Sequence, residues 1–178
     1  MVSSRSPDLI KRIQKMRNYG IEANYDAHYP GLNGKMSEFH ALVGLYNLER
    51  LDGYLAIRQE RARYYFERIR SSTGFQLLPW PEGVTHTFKD FTVLTPAHLD
   101  ARRDAVIAAL KERGVETRAY FYPPVHEQKF FKRYADRQLP QTESLSRRVI
   151  TLPFYTSITR EEIDYVVSAL ADAEARLS

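Results

Sequence analysis

The stretch "GLNGKMSEFHALVGLYNLERLD", residues 31–52, joins a glycine-bracketed turn directly to a long apolar helix. Ser37 is a favourable N-cap, and Glu38 suits the first turn of the helix that follows. From Phe39 to Leu48 the apolar side chains leave no polar face over about three turns. A helix of this kind is buried on every side, which one small domain rarely achieves. We therefore infer that it meets a partner surface.

The turn in front of this helix places Asn33 between two glycines. A plain turn would serve equally well with Ser or Asp, so the choice of asparagine needs a reason. Asn often occupies a left-handed turn position, which is one interpretation. The other is that flanking glycines let the backbone approach a ligand closely while the Asn33 amide donates hydrogen bonds outside its own fold.

The composition is that of an ordinary soluble globular protein. The chain has 178 residues, of which 43% are hydrophobic and 27% charged, enough for one domain or one domain with an arm. The formal charge of +4 comes from dispersed basic residues, which argues against nucleic-acid binding. No run approaches the roughly 18 apolar residues of a membrane helix. The N-terminus lacks the apolar core of a signal peptide, and cysteine is absent. We expect a cytoplasmic protein without disulfides or thiolate metal sites.

Helix and strand patterns alternate along the chain and predict an α/β fold. A helix is expected from Pro7 to a stop at Gly20, followed by a loop over residues 21–35. A long linking helix, bent near Gly53, is expected next. The remaining helices are expected at 100–113, 128–134, 142–148 and from Thr159, and strands at 86–95, 115–122 and 150–154. These elements indicate a small sheet of three or four strands covered by helices, which the linking helix joins to an N-terminal arm.

Several spaced motifs resemble one family of enzymes. The string G-L-N-G-K-M-S-E-F-H-A-L-V-G-L is similar to a segment of the DegT/DnrJ/EryC1/StrS sugar aminotransferases, which are pyridoxal 5′-phosphate (PLP) enzymes. Residues 2–10 resemble the segment after the family's cofactor-lysine region, and residues 16–20 its R-x-x-G step. Residues 122–126 match its Y-P-P-L-H loop, and Leu152-Pro153 its late S-L-P. These pieces fall in the family's order over essentially the whole chain.

The resemblance implies the C-terminal small domain of a PLP fold-type-I aminotransferase. Residues 1–35 would be a remnant of the large PLP-binding domain, 36–72 the linking helix and 73–178 the C-terminal α/β domain. The family's N-terminal half carries the Schiff-base lysine, and no lysine of this chain lies in a segment resembling that motif. Amino-group transfer needs such an amine. We therefore expect no catalytic residue, no activity and no bound cofactor in this chain alone.

The resemblance also names candidate binding residues. In the family the asparagine of the G-x-N turn crosses the dimer interface to the cofactor phosphate, a role that would fall to Asn33. Lys35 occupies a position where many relatives have arginine. It keeps the positive charge but lacks the planar guanidinium that can donate two hydrogen bonds to one anion. Tyr122 and His126 would lie near the nucleotide-sugar site, although a structural role for His126 is equally open.

The remaining histidines suggest no metal site. His28, His86 and His98 show no metal-ligand spacing with one another or with nearby carboxylates, so no metal is expected. His40 is expected to be an interface packing residue rather than a catalyst.

Three functions remain open. The chain is a portion of a PLP-dependent nucleotide-sugar aminotransferase, or an accessory subunit of a split enzyme, or a non-catalytic interaction domain that binds a full-length relative. It starts inside a segment that matches a family strand, from which we expect truncation. In each case a homo-oligomer, or an assembly with a lysine-domain chain, is expected.

Overall fold

The computed structural model describes residues 2–23, 26–134 and 138–178, which fall into two compact units, residues 1–51 and 52–178. The α-helices are α1 (Pro7–Met16), α2 (Glu38–Glu49), α3 (Leu51–Ser72), α4 (Arg103–Glu112), α5 (Pro140–Arg148) and α6 (Arg160–Leu177). The strands are β1 (Ile21–Ala23), β2 (Asp26–Ala27), β3 (Gln76–Leu77), β4 (Phe91–Leu94) and β5 (Val149–Leu152). Short 3₁₀ segments cover Ala97–Arg102, Val125–Glu127 and Lys132–Tyr134.

Helix α1 begins where the sequence predicts. The Ser6 hydroxyl accepts a hydrogen bond from the backbone N–H of Leu9 at 3.3 Å, and Pro7 occupies the first helical position. The helix ends at Met16, and Gly20 adopts a φ of +75°, which a residue with a side chain rarely takes.

The loop predicted over residues 21–35 is wrong in its first part. Strands β1 and β2 pair antiparallel, with Ile21 opposite Ala27. Three and two residues are too few to display the period-two alternation by which a strand is recognised in a sequence. Their pairing depends on backbone hydrogen bonds that the side-chain pattern does not reveal.

The turn at residues 31–34 lies directly against the end of α1. The Leu32 N–H donates to the Met16 carbonyl at 2.9 Å. A Cβ added to Gly31 would lie 2.1 Å from the Gly20 nitrogen and 2.7 Å from the Met16 oxygen. These are backbone atoms that cannot rotate away. The first glycine of the motif is therefore required by this close approach.

Helix α2 begins at the predicted cap, where Ser37 accepts a hydrogen bond from the His40 N–H at 3.3 Å. The interruption that was predicted near Gly53 lies three residues earlier, at Arg50, and Gly53 itself is inside α3. Arg50 has φ −106° and ψ 0°, and its N–H bonds to the Asn47 carbonyl at 3.2 Å. This shorter-range bond ends α2 with a tight turn.

The sheet of the second unit has three antiparallel strands in the order β3–β4–β5. The predicted strands near 86–95 and 150–154 correspond to β4 and β5, and β3 was not predicted. The expected strand over 115–122 is wrong, since only Arg118 forms a bridge there, opposite Thr151. The chain turns immediately afterwards, and the Tyr122 N–H bonds to the Ala119 carbonyl at 2.7 Å.

Helices α3, α4 and α6 bury apolar side chains with this sheet in one core. Tyr65 of α3 stacks on Phe91 of β4 with ring centroids 4.4 Å apart. Helix α6 has the predicted capping box, in which Thr159 accepts from the Glu162 N–H at 3.2 Å and the Glu162 carboxylate accepts from the Thr159 N–H at 2.8 Å. The α/β fold with a small helix-covered sheet is therefore confirmed.

Across the described ranges, no helix combines the length and apolar character needed to cross a membrane.

Replacing Gly31 by Ala should destabilise the first unit by about 1–3 kcal/mol, the usual range for forced overpacking. Gly44→Ala is the matched control, because a Cβ at this helical glycine meets nothing within 4 Å. It should stabilise the chain by about 0.5–1 kcal/mol. Denaturant unfolding followed by circular dichroism measures both variants. Equal effects of the two variants would contradict the close-approach explanation.

Candidate functional site

Asn33 lies on the exposed turn of the first unit. Its backbone pairs with Asn18 in an isolated antiparallel bridge, and the neighbouring Gly34 N–H donates to the Arg17 carbonyl at 2.8 Å. The side-chain amide of Asn33 makes no hydrogen bond within the described part of the chain. The backbone is therefore anchored while the amide stays available to another molecule.

Lys35 is held close to the same place. Its ammonium donates to the Asn18 side-chain oxygen at 3.1 Å and lies 4.3 Å from the centroid of the Tyr19 ring. No ion pair joins it to a carboxylate among the residues that the structure describes. Both contacts are to neutral groups, so they orient the ammonium without cancelling its charge.

Asn33 and Lys35 suit a phosphate group. An amide N–H and an ammonium both donate to phosphate oxygens, and the ammonium adds a favourable charge interaction. Neither residue is engaged by a carboxylate that an incoming anion would have to displace. These donor groups fit the phosphate of PLP, the cofactor expected from the resemblance. They would hold the phosphate end of the cofactor and not its reactive ring.

The second pair of candidates, Tyr122 and His126, lies in the second unit. The His126 Nε2 is 3.3 Å from a Glu143 carboxylate oxygen, which also accepts the Leu139 N–H at 2.9 Å. The Leu139 hydrogen bond holds the pKa of Glu143 below its usual value, and His126 adds to this against the opposing effect of burial. The Glu143 contact could not be predicted from sequence spacing, because Glu143 lies 17 positions after His126.

Tyr122 and Glu143 line the same open cleft, which has a volume of about 540 Å³. The guanidinium of Arg103 lies 4.3 Å from the centroid of the Tyr122 ring. Arg103 is buried, donates to the Ser146 carbonyl at 2.8 Å and is paired with Asp104. Tyr122 and Glu143 thus line one cleft, whereas His126 contacts Glu143 and is not among the residues that line the cleft.

His126, Glu127 and Glu143 form a cluster that could hold a metal ion, since one ligand atom of each lies within 4.8 Å of the others. The sequence search missed it, because these residues lack a short ligand spacing. Arg147 lies 3.8 Å from Glu127, and Glu143 already accepts two hydrogen bonds. These contacts account for the cluster without a metal.

The other four histidines also have partners within the chain. The His40 Nδ1 lies 2.7 Å from the Ser37 hydroxyl and so takes part in the cap of α2. His28 lies in the β1–β2 region, 3.4 Å from Glu22 and 3.3 Å from Asp26. The pairing of β1 with β2 brings both acids to this imidazole.

Replacing Glu143 by Gln should lower stability at neutral pH. A carboxylate with a lowered pKa stabilises the fold fully above its unfolded value, which is near 4.5, and this stabilisation is lost as the pH falls through the folded value. The difference between wild type and Glu143→Gln should thus shrink below about pH 4.5. Unfolding free energies measured across pH 3–7 test this.

The control is Glu82→Gln, which removes an exposed carboxylate that has no ion pair in the described residues. Its effect should be small at every pH. A Glu143→Gln difference that stays constant down to pH 3 would contradict the assignment.

Comparison with known proteins agrees with the motifs on which the candidate sites rest. Residues 1–171 match the DegT/DnrJ/EryC1/StrS aminotransferase family. A pleiotropic regulatory protein from Geobacillus stearothermophilus is 27% identical over 97% of this chain and 46% of its own length. The dTDP-4-amino-4,6-dideoxy-D-glucose transaminase of Escherichia coli is 26% identical over 89% of this chain and 44% of its own.

A solved structure shows the same similarity in three dimensions. A candidate PLP-dependent aminotransferase from Bacillus cereus ATCC 10987 superposes with a TM-score of 0.82 at 30% identity, over 94% of this chain and 45% of that one. The chain thus spans about half the length of the proteins it matches. On the family match over nearly its entire length, the chain belongs to the DegT/DnrJ/EryC1/StrS aminotransferase family.

Proposed function

We propose that this chain is a portion of a PLP-dependent nucleotide-sugar aminotransferase, the part that supports the cofactor phosphate and the sugar nucleotide. The whole enzyme would transfer an amino group to a keto-sugar. The family membership supports this, as do the Escherichia coli sugar transaminase and the Bacillus cereus structure. The lysine that bonds to the cofactor would come from a segment outside this sequence or from a second chain.

The observation that carries the proposal is a pair of donors at the glycine turn, Asn33 and Lys35, neither of which is paired with a carboxylate in the described residues. The Asn33 amide has no partner in the described chain, and Lys35 has only neutral ones. When bound, PLP supplies an electron sink for amino-group transfer. Asn33 would donate to its phosphate across a dimer interface, and Lys35 would add positive charge beside it.

Tyr122 and His126 would contact the sugar nucleotide. The contact with Glu143 at 3.3 Å orients the imidazole of His126, and the phenol of Tyr122 can donate to or accept from a sugar hydroxyl. Most charges along the cleft are matched by neighbours, as in the pair of Arg103 with Asp104. Hydrogen bonds to hydroxyl groups suit such a surface better than a second strong anion site.

Helix α2 supports the expectation of a partner. Its apolar side chains are exposed within this chain, with Phe39 83%, Leu42 65% and Leu48 66% accessible. An apolar surface of this size is normally covered by a neighbouring domain or subunit. We propose that it packs against the lysine domain or against a second copy of the chain.

The alternatives are an accessory subunit of a split enzyme and a non-catalytic domain that binds a full-length relative. The second has one specific support, the similarity to the pleiotropic regulatory protein of Geobacillus stearothermophilus. A neighbouring reading frame that encodes the lysine half would favour the split enzyme.

The Asn33→Ala variant tests the main proposal in an assembly with a chain that carries the lysine domain. Loss of one partner of a buried hydrogen bond should weaken PLP retention by about 1–3 kcal/mol. Asn33→Asp should weaken it further, because a carboxylate repels phosphate. PLP retained after dialysis is measured by absorbance, with the isolated chain as the blank.

Folding of the isolated chain should hardly change in either variant, because the Asn33 side chain supports no core. An unfolded Asn33→Ala chain, with PLP affinity in the assembly unaffected, would mean that the residue is structural. The phosphate role would then be abandoned.

The exposed face of α2 predicts that the purified chain self-associates at micromolar concentration. Leu42→Lys combined with Leu45→Lys should shift it towards monomer, because two charges on this face oppose burial. The control is Leu78→Lys, at an exposed leucine outside α2. Sedimentation velocity distinguishes the species, and a monodisperse wild-type monomer would argue against a partner surface.

A further inference from the structure

Tyr19 adopts a backbone conformation that is unfavourable for a tyrosine. Its φ is +62°, in the left-handed region that favours glycine. The ring is half exposed, so burial in a core does not explain the residue. Strained positions of this kind persist where the surrounding structure enforces them, often at functional sites. The question is what the Tyr19 ring does in this position.

The ring lies under the ammonium of Lys35. The Lys35 nitrogen is 4.3 Å from the Tyr19 ring centroid, which is within the range of a cation–π interaction. The left-handed backbone at Tyr19 is thus compatible with the Lys35 contact. A glycine at this position would relieve the backbone strain, but it would remove the ring that Lys35 contacts. The ring attracts the cation but brings no formal negative charge.

Asn18 makes the second contact to the same ammonium. Its side-chain oxygen accepts a hydrogen bond from Lys35 at 3.1 Å, while its backbone pairs with Asn33. One residue therefore touches both phosphate-binding candidates. Aspartate at this position would pair with Lys35 and cancel its charge, whereas asparagine leaves that charge for a ligand.

Backbone hydrogen bonds hold these residues in register with the turn. The Tyr19 N–H donates to the Leu32 carbonyl at 3.1 Å, and the Gly34 N–H donates to the Arg17 carbonyl at 2.8 Å. The backbone of residues 17–19 is therefore held beside the turn that carries Asn33, which keeps Asn18 and Tyr19 within reach of Lys35. A lysine with several rotamers loses less conformational entropy on binding when it is held in advance.

We propose that Tyr19 and Asn18 are positioning residues that hold the Lys35 ammonium in place, with its charge uncompensated, as the cation for a phosphate group. The ligand class, a phosphate ester, rests on the proposed function. That chemistry is shared by the phosphate of the cofactor and the diphosphate of a sugar nucleotide. An ammonium has three donors, and Asn18 uses one, so donors remain for phosphate oxygens.

The full chain is titrated with pyridoxamine 5′-phosphate, with uridine diphosphate and with phosphate-free pyridoxamine, and the backbone amide shifts of residues 33–35 are followed by NMR. Pyridoxamine 5′-phosphate cannot bond covalently to a lysine, so only non-covalent binding is read. We expect the two phosphate ligands to shift these amides and pyridoxamine not to. The phosphate ligand that saturates at the lower concentration identifies the source of the phosphate.

Tyr19→Gly separates positioning from a purely structural role. It removes the ring and also relieves the φ of +62°, so the chain should be no less stable to heat. Phosphate affinity should nevertheless fall about two- to fivefold, as expected for an exposed cation–π contact. Tyr19→Phe keeps the ring and should retain the wild-type affinity.

The other two variants address Lys35 directly. Lys35→Met removes the cation, whereas Asn18→Asp keeps Lys35 and gives its ammonium a carboxylate partner. Both variants should lower phosphate affinity by at least as much as Tyr19→Gly. The proposal is overturned if wild type shows no phosphate-dependent shift, or if Lys35→Met binds as wild type does. It is also overturned if Tyr19→Phe is as weak as Tyr19→Gly.

This titration is independent of the assembly experiment on Asn33. If Asn33→Ala leaves PLP retention unchanged there while the Tyr19 and Lys35 variants weaken phosphate binding here, the proposed function fails and the positioning role stands. If the Asn33 effect appears and the Tyr19 effect does not, the positioning role fails alone.

Discussion

The close approach of two backbone segments at Gly20 and Gly31 is the constraint on which the candidate phosphate site depends. A Cβ at Gly31 would lie 2.1 Å from the Gly20 nitrogen, so the turn reaches the end of α1 only because Gly31 lacks a side chain. This contact brings Asn18 beside Asn33 and Lys35. Without it, Asn33 and Lys35 would lose their contacts with Asn18 and Tyr19, and an anion would have to order the turn by itself.

The two candidate sites differ in how their charges are balanced. Lys35 meets only an amide oxygen and an aromatic ring, which orient its charge without cancelling it. In the cleft, Arg103 is paired with Asp104, and Glu143 accepts from His126 and a backbone N–H. The first arrangement suits a phosphate group. The second is already neutralised and suits neutral groups that donate and accept hydrogen bonds.

Two observations concern the surroundings of α2: its apolar side chains are exposed, and the chain spans only part of the length of its relatives. The chain covers 44–46% of the length of the two relatives described above. Within the chain, Phe39 of α2 is 83% exposed. A helix without a polar face is not stable alone in water, because its stability comes mainly from tertiary packing. The partial coverage of the relatives and the exposure of α2 both support the proposal that this helix packs against a lysine domain or a second copy of the chain.

Features that depend on a few neighbouring residues could be predicted from the sequence alone. The cap at Ser37 and the helix start at Thr159 lie as predicted, since each depends on a hydrogen bond to a residue three positions away. The motifs were equally informative about the family, because several spaced strings must match together. Asn33 and Lys35 could be named as candidates in this way, but not the groups that surround them.

Only the tertiary structure decided the features that join distant segments. The β1–β2 pairing, the single bridge where a strand was expected over 115–122 and the contact of Lys35 with Asn18 each depend on backbone or side-chain partners brought together by the fold. The left-handed backbone of Tyr19 is of the same kind, since no local preference of tyrosine favours it. Such contacts carry no periodic signal, because their partners lie on separate segments and meet only after the chain has folded.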